Sequence, residues 1–364
     1  MSRESQLEIQ EAHEREAAAV NPQSRTGSLL AIVIGLCLLL VVEIFLATCV
    51  GAVSMKPATV ASVFLNRHAE TLQTEKTIVF QIRLPRVLAA ALVGCALSIA
   101  GVLFQGLFRN PMADPYVIGT QGGAALGATI GVVLMPHVSL LGFGATASLA
   151  FCFSLLTMVV VYWLARVGGR TPIVTLLLSG LALSTMLSYS TTFVVLLHPE
   201  SDVAIRLLTT WLHGAVSNTE WSQIALVAVM VGIGALLSLL LTRSLNALCL
   251  GDDYAQQLGI RVELLRASII VVGSLLTAAA VAIGGLIGFV GLVIPHLVRL
   301  LIGPDHVRLL PIAGLAGAIF LILADTLART VLSPSELPVG ILTAFVGGPV
   351  FLFLLRRNKR EYAL

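Results

Sequence analysis

Apolar residues fill this chain in long blocks, separated by short polar stretches. Blocks at 29–50, 84–107, 116–135, 140–165, 172–196, 222–241, 268–285, 286–302, 309–331 and 338–355 predict ten membrane-crossing helices. A helix needs about 20 residues to cross a bilayer core. The pair 268–285 and 286–302 can be read in two ways. It is one long span with a ragged end, or a span followed by a broken one kinked at Pro295. The predicted class is all-α, a polytopic helical membrane protein.

The most polar internal stretch, 243–266, lies between two of these blocks and holds three arginines and three acids. Its middle reads as a short helix with a stop. Asp252 or Asp253 can cap the start, and Gly259 suits the left-handed position after the last turn. Ala255 and Leu258, three apart, are expected on one face, too small a face to anchor a domain. Such a helix is either a solvated loop or a surface for a partner.

Composition narrows the classes. With 57% hydrophobic and 11% charged residues and a mean hydropathy of +0.97, a soluble globular domain is excluded. The distribution of charge says more than the net +3. Ten spans place both ends of the chain on one side, and Arg356, Arg357, Lys359 and Arg360 mark that side as cytoplasmic. This topology puts 15 Lys and Arg inside and 7 outside, and it puts the 243–266 island in the cytoplasm. The arginines left outside are the anomaly. Arg83 and Arg86 stand at the outer mouth of the second span, and Arg329 ends the ninth. Arg329 can pair with Asp325 four residues back, and Arg83 and Arg86 can anchor lipid headgroups. Converging at one rim, the three would instead form a docking surface for acidic side chains of a soluble partner.

Residues 1–28 read as a soluble cytoplasmic tail, 29–355 as the membrane domain and 356–364 as a cytoplasmic tail, with no cleavable signal peptide apparent. Five scattered cysteines have no metal spacing, and His296 and His306 lack one too. Gly119, Gly123, Gly127 and Gly131 recur every fourth residue; Gly284, Gly288 and Gly291 form a second set. Such glycines let helix backbones approach closely. Pro111 precedes Gly119 by eight residues, as Pro295 precedes Gly303, a faint echo of two inverted repeats. Thr185, Ser188, Ser190, Thr191 and Thr192 give the fifth span a hydroxyl-rich stretch, suited to a watery path or to helix-to-helix hydrogen bonds. Glu43 and Asp325 do not form the mid-membrane carboxylate chain of an ion-coupled transporter. No nucleophile–base or metal constellation is spaced for an intramembrane enzyme. No G-x-x-x-x-G-K-[ST] phosphate loop is present, so energy for uphill transport has to come from another chain.

Several motifs, in this order, resemble the permease subunits of type II ABC importers, the family that takes up iron-siderophore complexes, haem and cobalamin. They are Arg83-Leu84-Pro85-Arg86; Ala100-Gly101 with Gln105; Arg109-Asn110-Pro111-Met112-Ala113-Asp114-Pro115, with Met112 where leucine is usual; Gly251-Asp252 through Ala255 to Leu258-Gly259; Gly288 to Pro295-His296; and Glu336-Leu337-Pro338-Val339-Gly340. The resemblance implies the inverted-repeat BtuC-like permease fold and a homodimer with the path at its interface, in the inner membrane. It implies that Gly251, Asp252, Asp253, Ala255, Leu258 and Gly259 belong to coupling helices, within 243–266, that seat in a cytoplasmic ABC ATPase. It implies that Arg83, Arg86 and Arg329 receive glutamates of a periplasmic or lipid-anchored substrate-binding protein. The cytoplasmic gate is implied at Ile173, Val174 and Thr175. Asn110, Pro111, Asp114, Pro115, Pro295 and His296 are implied as motif turns. The expected substrate is a metal chelate, the surroundings membrane lipid, with no resident cofactor, no metal site and no nucleic acid.

Overall fold

The computed structural model describes residues 22–51, 55–65, 73–135, 138–140, 143–198, 202–216, 220–333 and 335–357. The two expected tails, apart from 22–28 and 356–357, lie outside these residues. Among the described residues, eight helices are long and apolar enough to cross a membrane. The spans expected at 116–135 and 286–302 are shorter helices of 14 and 13 residues.

In chain order, α1 is Pro22–Cys49 and α2 is Pro57–Phe64. Helix α3, Gln73–Thr77, runs through a π-helical turn, Ile78–Arg83, into α4, Leu84–Leu107. A 3-10 turn, Pro115–Ile118, leads to α5, Thr120–Val133. A two-residue antiparallel ladder pairs Ser139 with Gly144 and Leu140 with Phe143. Then come α6, Ala145–Ala165; α7, Ile173–Leu196; α8, Asp202–Leu212; and α9, Trp221–Cys249. The short α10 is Asp252–Gln257, followed by α11, Val262–Gly284; α12, Val290–Ile302; α13, His306–Thr330; and α14, Val339–Arg357.

Helix α4 is the axis of the molecule. Leu97, Leu103, Phe104 and Leu107 are fully buried, and α9, α11, α12 and α13 pack around it. Close approach requires glycine at the crossings. A Cβ on Gly101 would lie 1.8 Å from the Gly291 carbonyl oxygen, and one on Gly94 would lie 2.1 Å from the Gly317 oxygen. The fourfold glycine repeat works the same way on α5. Added Cβ atoms at Gly123 and Gly127 would meet main-chain oxygens of α6 at 2.4 and 2.2 Å. Gly119 differs: its φ of +87° closes the turn before α5.

The ambiguous 268–302 stretch is two helices. The break falls at Gly285, whose φ of 65° and ψ of −157° suit only glycine. Pro295 lies inside α12 and does not end it. A proline lacks the N–H that would reach the carbonyl four residues back, here Gly291. Gln105 on α4 supplies a donor in its place. Its Nε2 reaches the Gly291 oxygen at 3.4 Å and the Leu292 oxygen at 3.0 Å.

Helix α7 packs little of its surface within the chain. Among the described residues its hydroxyls do not make the expected helix-to-helix hydrogen bonds. Thr185, Ser188, Ser190, Thr191 and Thr192 each donate to the carbonyl four residues back on the same helix.

Candidate coupling and docking sites

The polar island folds at one end of the bundle. Helix α9 stops at Cys249, and Gly251 takes φ +133°, ψ 152° to turn the chain into α10. Neither aspartate caps α10, contrary to expectation. Gly251 occupies the cap position, and Asp252 and Asp253 lie in the first turn, where negative charge complements the helix dipole. The stop is as expected. Gly259 has φ +79°; its N–H donates to the Gln256 oxygen at 2.9 Å, and the Ile260 N–H donates to the Ala255 oxygen at 3.0 Å.

Ala255 and Leu258 do not share a face. Ala255 is fully buried against the bundle, whereas Leu258 is 58% exposed. The exposed apolar face is instead Leu250, Tyr254 and Leu258, at 70%, 47% and 58% exposure. Leu250 closes α9 and Leu258 closes α10, with the Gly251 turn between them, so only Tyr254 and Leu258 carry an i, i+4 spacing readable in the sequence. A cavity of about 700 Å³ opens beside this face, lined among others by Arg109, Asn246, Tyr254, Leu258 and His306. Asn246 ties α9 to the start of α13: its Nδ2 donates to Asp305 at 2.8 Å and its Oδ1 accepts the His306 N–H at 3.0 Å.

The turn after α4 meets the island. Arg109 adopts φ 49°, uncommon for a side chain other than glycine or asparagine, and its guanidinium pairs with Asp252. Asn110 Oδ1 accepts from the Met112 N–H at 2.9 Å, ahead of which Pro111 sets the bend. Asp114 Oδ1 caps the Pro115 turn through the Tyr116 N–H at 2.8 Å. Burial raises the Asp114 carboxyl to about 6, against the opposing pull of that hydrogen bond. Pro295 and His296 are buried inside α12, so they belong to a helix and not to a turn.

Asp252 also accepts from Arg266 Nη2 at 2.5 Å, and Arg266 Nη1 reaches Glu263 at 2.9 Å. The other Glu263 oxygen accepts the Thr171 N–H at 3.0 Å. Thr171 and Pro172 lead directly into α7, whose first residues are Ile173, Val174 and Thr175. Val174 is 68% exposed. Sequence spacing carried no sign that Glu263 and Thr171 meet, because 92 residues separate them.

At the opposite end the three arginines do converge, but not as a free cationic rim. Arg83 and Arg329 are each only 5% exposed. Arg83 Nη1 donates to the Thr48 and Cys49 oxygens at 3.0 and 2.9 Å. Arg329 Nη1 reaches the Val50 oxygen at 3.3 Å. Both therefore satisfy carbonyls left open at the end of α1, and both complement its negative dipole end. Gly51 leaves room for the Arg83 guanidinium. Arg329 also pairs with Asp325 at 3.1 Å, and Arg86 pairs with Asp325 at 3.0 Å and with Glu336 at 2.7 Å. Glu336 is the more exposed partner, at 48% of its side chain.

Comparison with known proteins gives a consistent set of relatives. The FecCD transport family model matches residues 29–357. An uncharacterized ABC transporter permease protein of Bacillus subtilis, YvrB, is 43% identical across 78% of this chain and 80% of its own. The cobalamin import system permease protein BtuC of Halobacterium salinarum is 43% identical, covering 79% and 75%. The hemin transport system permease protein HmuU of Yersinia pestis is 41% identical, covering 77% and 83%. A solved inward-facing structure, assigned to a metal-chelate type ABC transporter, superposes with a TM-score of 0.77. It is 32% identical and covers 90% of this chain and 99% of its own.

Proposed function

Since the chain belongs to the FecCD transport family of ABC importer permeases, we propose that it carries an iron–siderophore complex across the inner membrane, driven by a separate cytoplasmic ATPase. Cobalamin and hemin, named for two relatives, are large metal chelates, and an iron–siderophore complex is of the same class. Both chain ends and the α10 end of the bundle face the cytoplasm in this reading, as the basic C-terminal residues favour.

One observation carries the coupling role. Tyr254 and Leu258 on α10, with Leu250 at the end of α9, present an apolar surface at the polar end of the bundle, in a chain without a phosphate loop of its own. That face suits the groove of an ATPase, with the 700 Å³ cavity beside it open to a projecting side chain. ATP binding closes two ATPase subunits and displaces α10. Two copies of this chain then rock between outward- and inward-open states. The exposed apolar face of α7, including Leu178, Leu181, Met186 and Tyr189, is suited to a second copy, with lipid covering the rest. Ile173, Val174 and Thr175 are the proposed cytoplasmic gate.

The outer rim is the proposed docking place for the binding protein. Arg86 is the accessible member, because its Glu336 partner is half exposed and a glutamate from the soluble partner can take that position.

Reconstituted vesicles test the reading. With the ATPase and binding protein present, uptake of an iron–siderophore should require ATP, and Tyr254→Ala with Leu258→Ser should abolish it while the permease still folds. Uptake driven by an ion gradient with the ATPase omitted would overturn the proposal.

A further inference from the structure

Four segments distant in sequence meet through an unbroken run of charged contacts. It passes from Arg109 to Asp252, on to Arg266 and Glu263, and ends on the Thr171 main chain. We infer that Asp252 and Glu263 are positioning residues of a strut that carries displacement of α10 into the first turn of α7. This rests on reading α10 as the helix that the ATPase moves.

The geometry favours transmission over simple adhesion. Arg266 is held from both sides, by Asp252 at 2.5 Å and Glu263 at 2.9 Å, with only 11% of its side chain exposed. A guanidinium with two donor edges engaged cannot rotate away from one carboxylate without straining the other. Glu263 then grips a main-chain N–H and not a side chain, so its pull acts on the backbone itself. Thr171 is buried, so losing this acceptor would leave its N–H without a partner.

The two sides of Thr171 differ in stiffness. Toward α7 comes Pro172, whose ring fixes φ at −62° and leaves only ψ to absorb a displacement before Ile173. Toward α6 come Gly168 and Gly169, at φ +59° and +80°, with open space where a Cβ would stand. Val167 and Arg170 pair across that turn. A displacement delivered at Thr171 is therefore passed to α7 and taken up by the glycine turn on the other side. The arrangement is a lever: soft behind, rigid ahead, pushed through one hydrogen bond.

Hydrogen exchange on the full chain, assembled with its ATPase and binding protein in nanodiscs, separates the possibilities. In the parent, trapping the ATP-bound state should change exchange in peptides covering 250–260 and 166–176 together. With Glu263→Ala the first peptide should still respond and the second should not. Uptake should fall about tenfold, within the range of coupling between sites, while ATP hydrolysis continues. The pair Glu263→Gln with Arg266→Gln leaves an acceptor for Thr171 but cuts its link to Asp252, and it should act in the same way, should the alanine variant fold poorly. A response at 166–176 in these variants equal to the parent's, with uptake within about twofold, would overturn the strut. A parent in which 250–260 itself ignores ATP would instead overturn the role of α10.

Discussion

Gln105 shows how a single side chain repairs a defect that another creates. Pro295 leaves the Gly291 carbonyl without its helical donor, and the Gln105 amide fills in from α4. Gln105→Leu should cost about 1–3 kcal/mol, the usual cost of stranding a buried polar group, measured as thermal unfolding in detergent. Arg83 and Arg86 are three apart in one motif yet do different work. Arg83→Ala removes two hydrogen bonds to the end of α1 and should lower the melting temperature. Arg86→Glu would set a third carboxylate beside the buried Asp325 and beside Glu336, so it should both slow association with the binding protein and lower the melting temperature. The sequence marked both arginines as out of place on the outer side, but it could not tell that Arg83 closes the end of α1. Asp114 adds a pH signature. Its folded value of about 6 lies above the ordinary carboxylate value near 4. A raised folded value means that its contribution is fully present below about 4 and is lost as pH rises through about 6. Asp114→Asn keeps an acceptor for Tyr116 and should flatten the fall in melting temperature between about pH 4 and 6.

Between elements, glycine decides which helices touch. Gly288, between Gly284 and Gly291 in the second set, has open space around it, while Gly101 and Gly291 abut. Gly288→Ala should leave stability nearly unchanged apart from local backbone effects. Gly101→Val should fail to assemble α4 with α12, seen as loss of monodisperse protein on size exclusion. Sequence spacing identified the glycines but not their partners, since the facing carbonyls belong to helices far along the chain. The same gap explains α10. Its existence and its Gly259 stop were legible from local chemistry, but its start was not, since Gly251 and not an aspartate holds the cap position. Its outward face was not, because burial of Ala255 depends on the bundle beneath it. Ala255→Arg should therefore disturb folding, whereas Tyr254→Ala should spare folding and uncouple transport. Melting temperature and ATP-driven uptake, measured on both variants, distinguish the two effects.

Across the molecule, α4 joins the two proposed working ends. Arg86 lies in its first turn and Arg109 just beyond its last, so one rod of 24 residues, about 36 Å, separates docking rim from coupling island. Ten apolar stretches and their order were legible from hydropathy alone. The shortness of α5 and α12 was not, because both are sheltered by neighbours and their sequences are as apolar as true spans. The long-range ion pairs were illegible for a similar reason: Arg86 finds Asp325 across 239 residues.

The end of α1 has a consequence for biogenesis. Little of this helix is packed within the chain, and part of its anchorage, Arg329, is synthesised some 280 residues after Val50. A nascent chain leaving the insertion machinery would hold the end of its first helix by Arg83 and by the early apolar cluster with Val60, Val63 and Val79, without Arg329, until the late helix arrives. Ribosome-stalled intermediates cut before Arg329 should thus show a loosely tethered leading segment, open to membrane proteases, that tightens once Arg329 is in place.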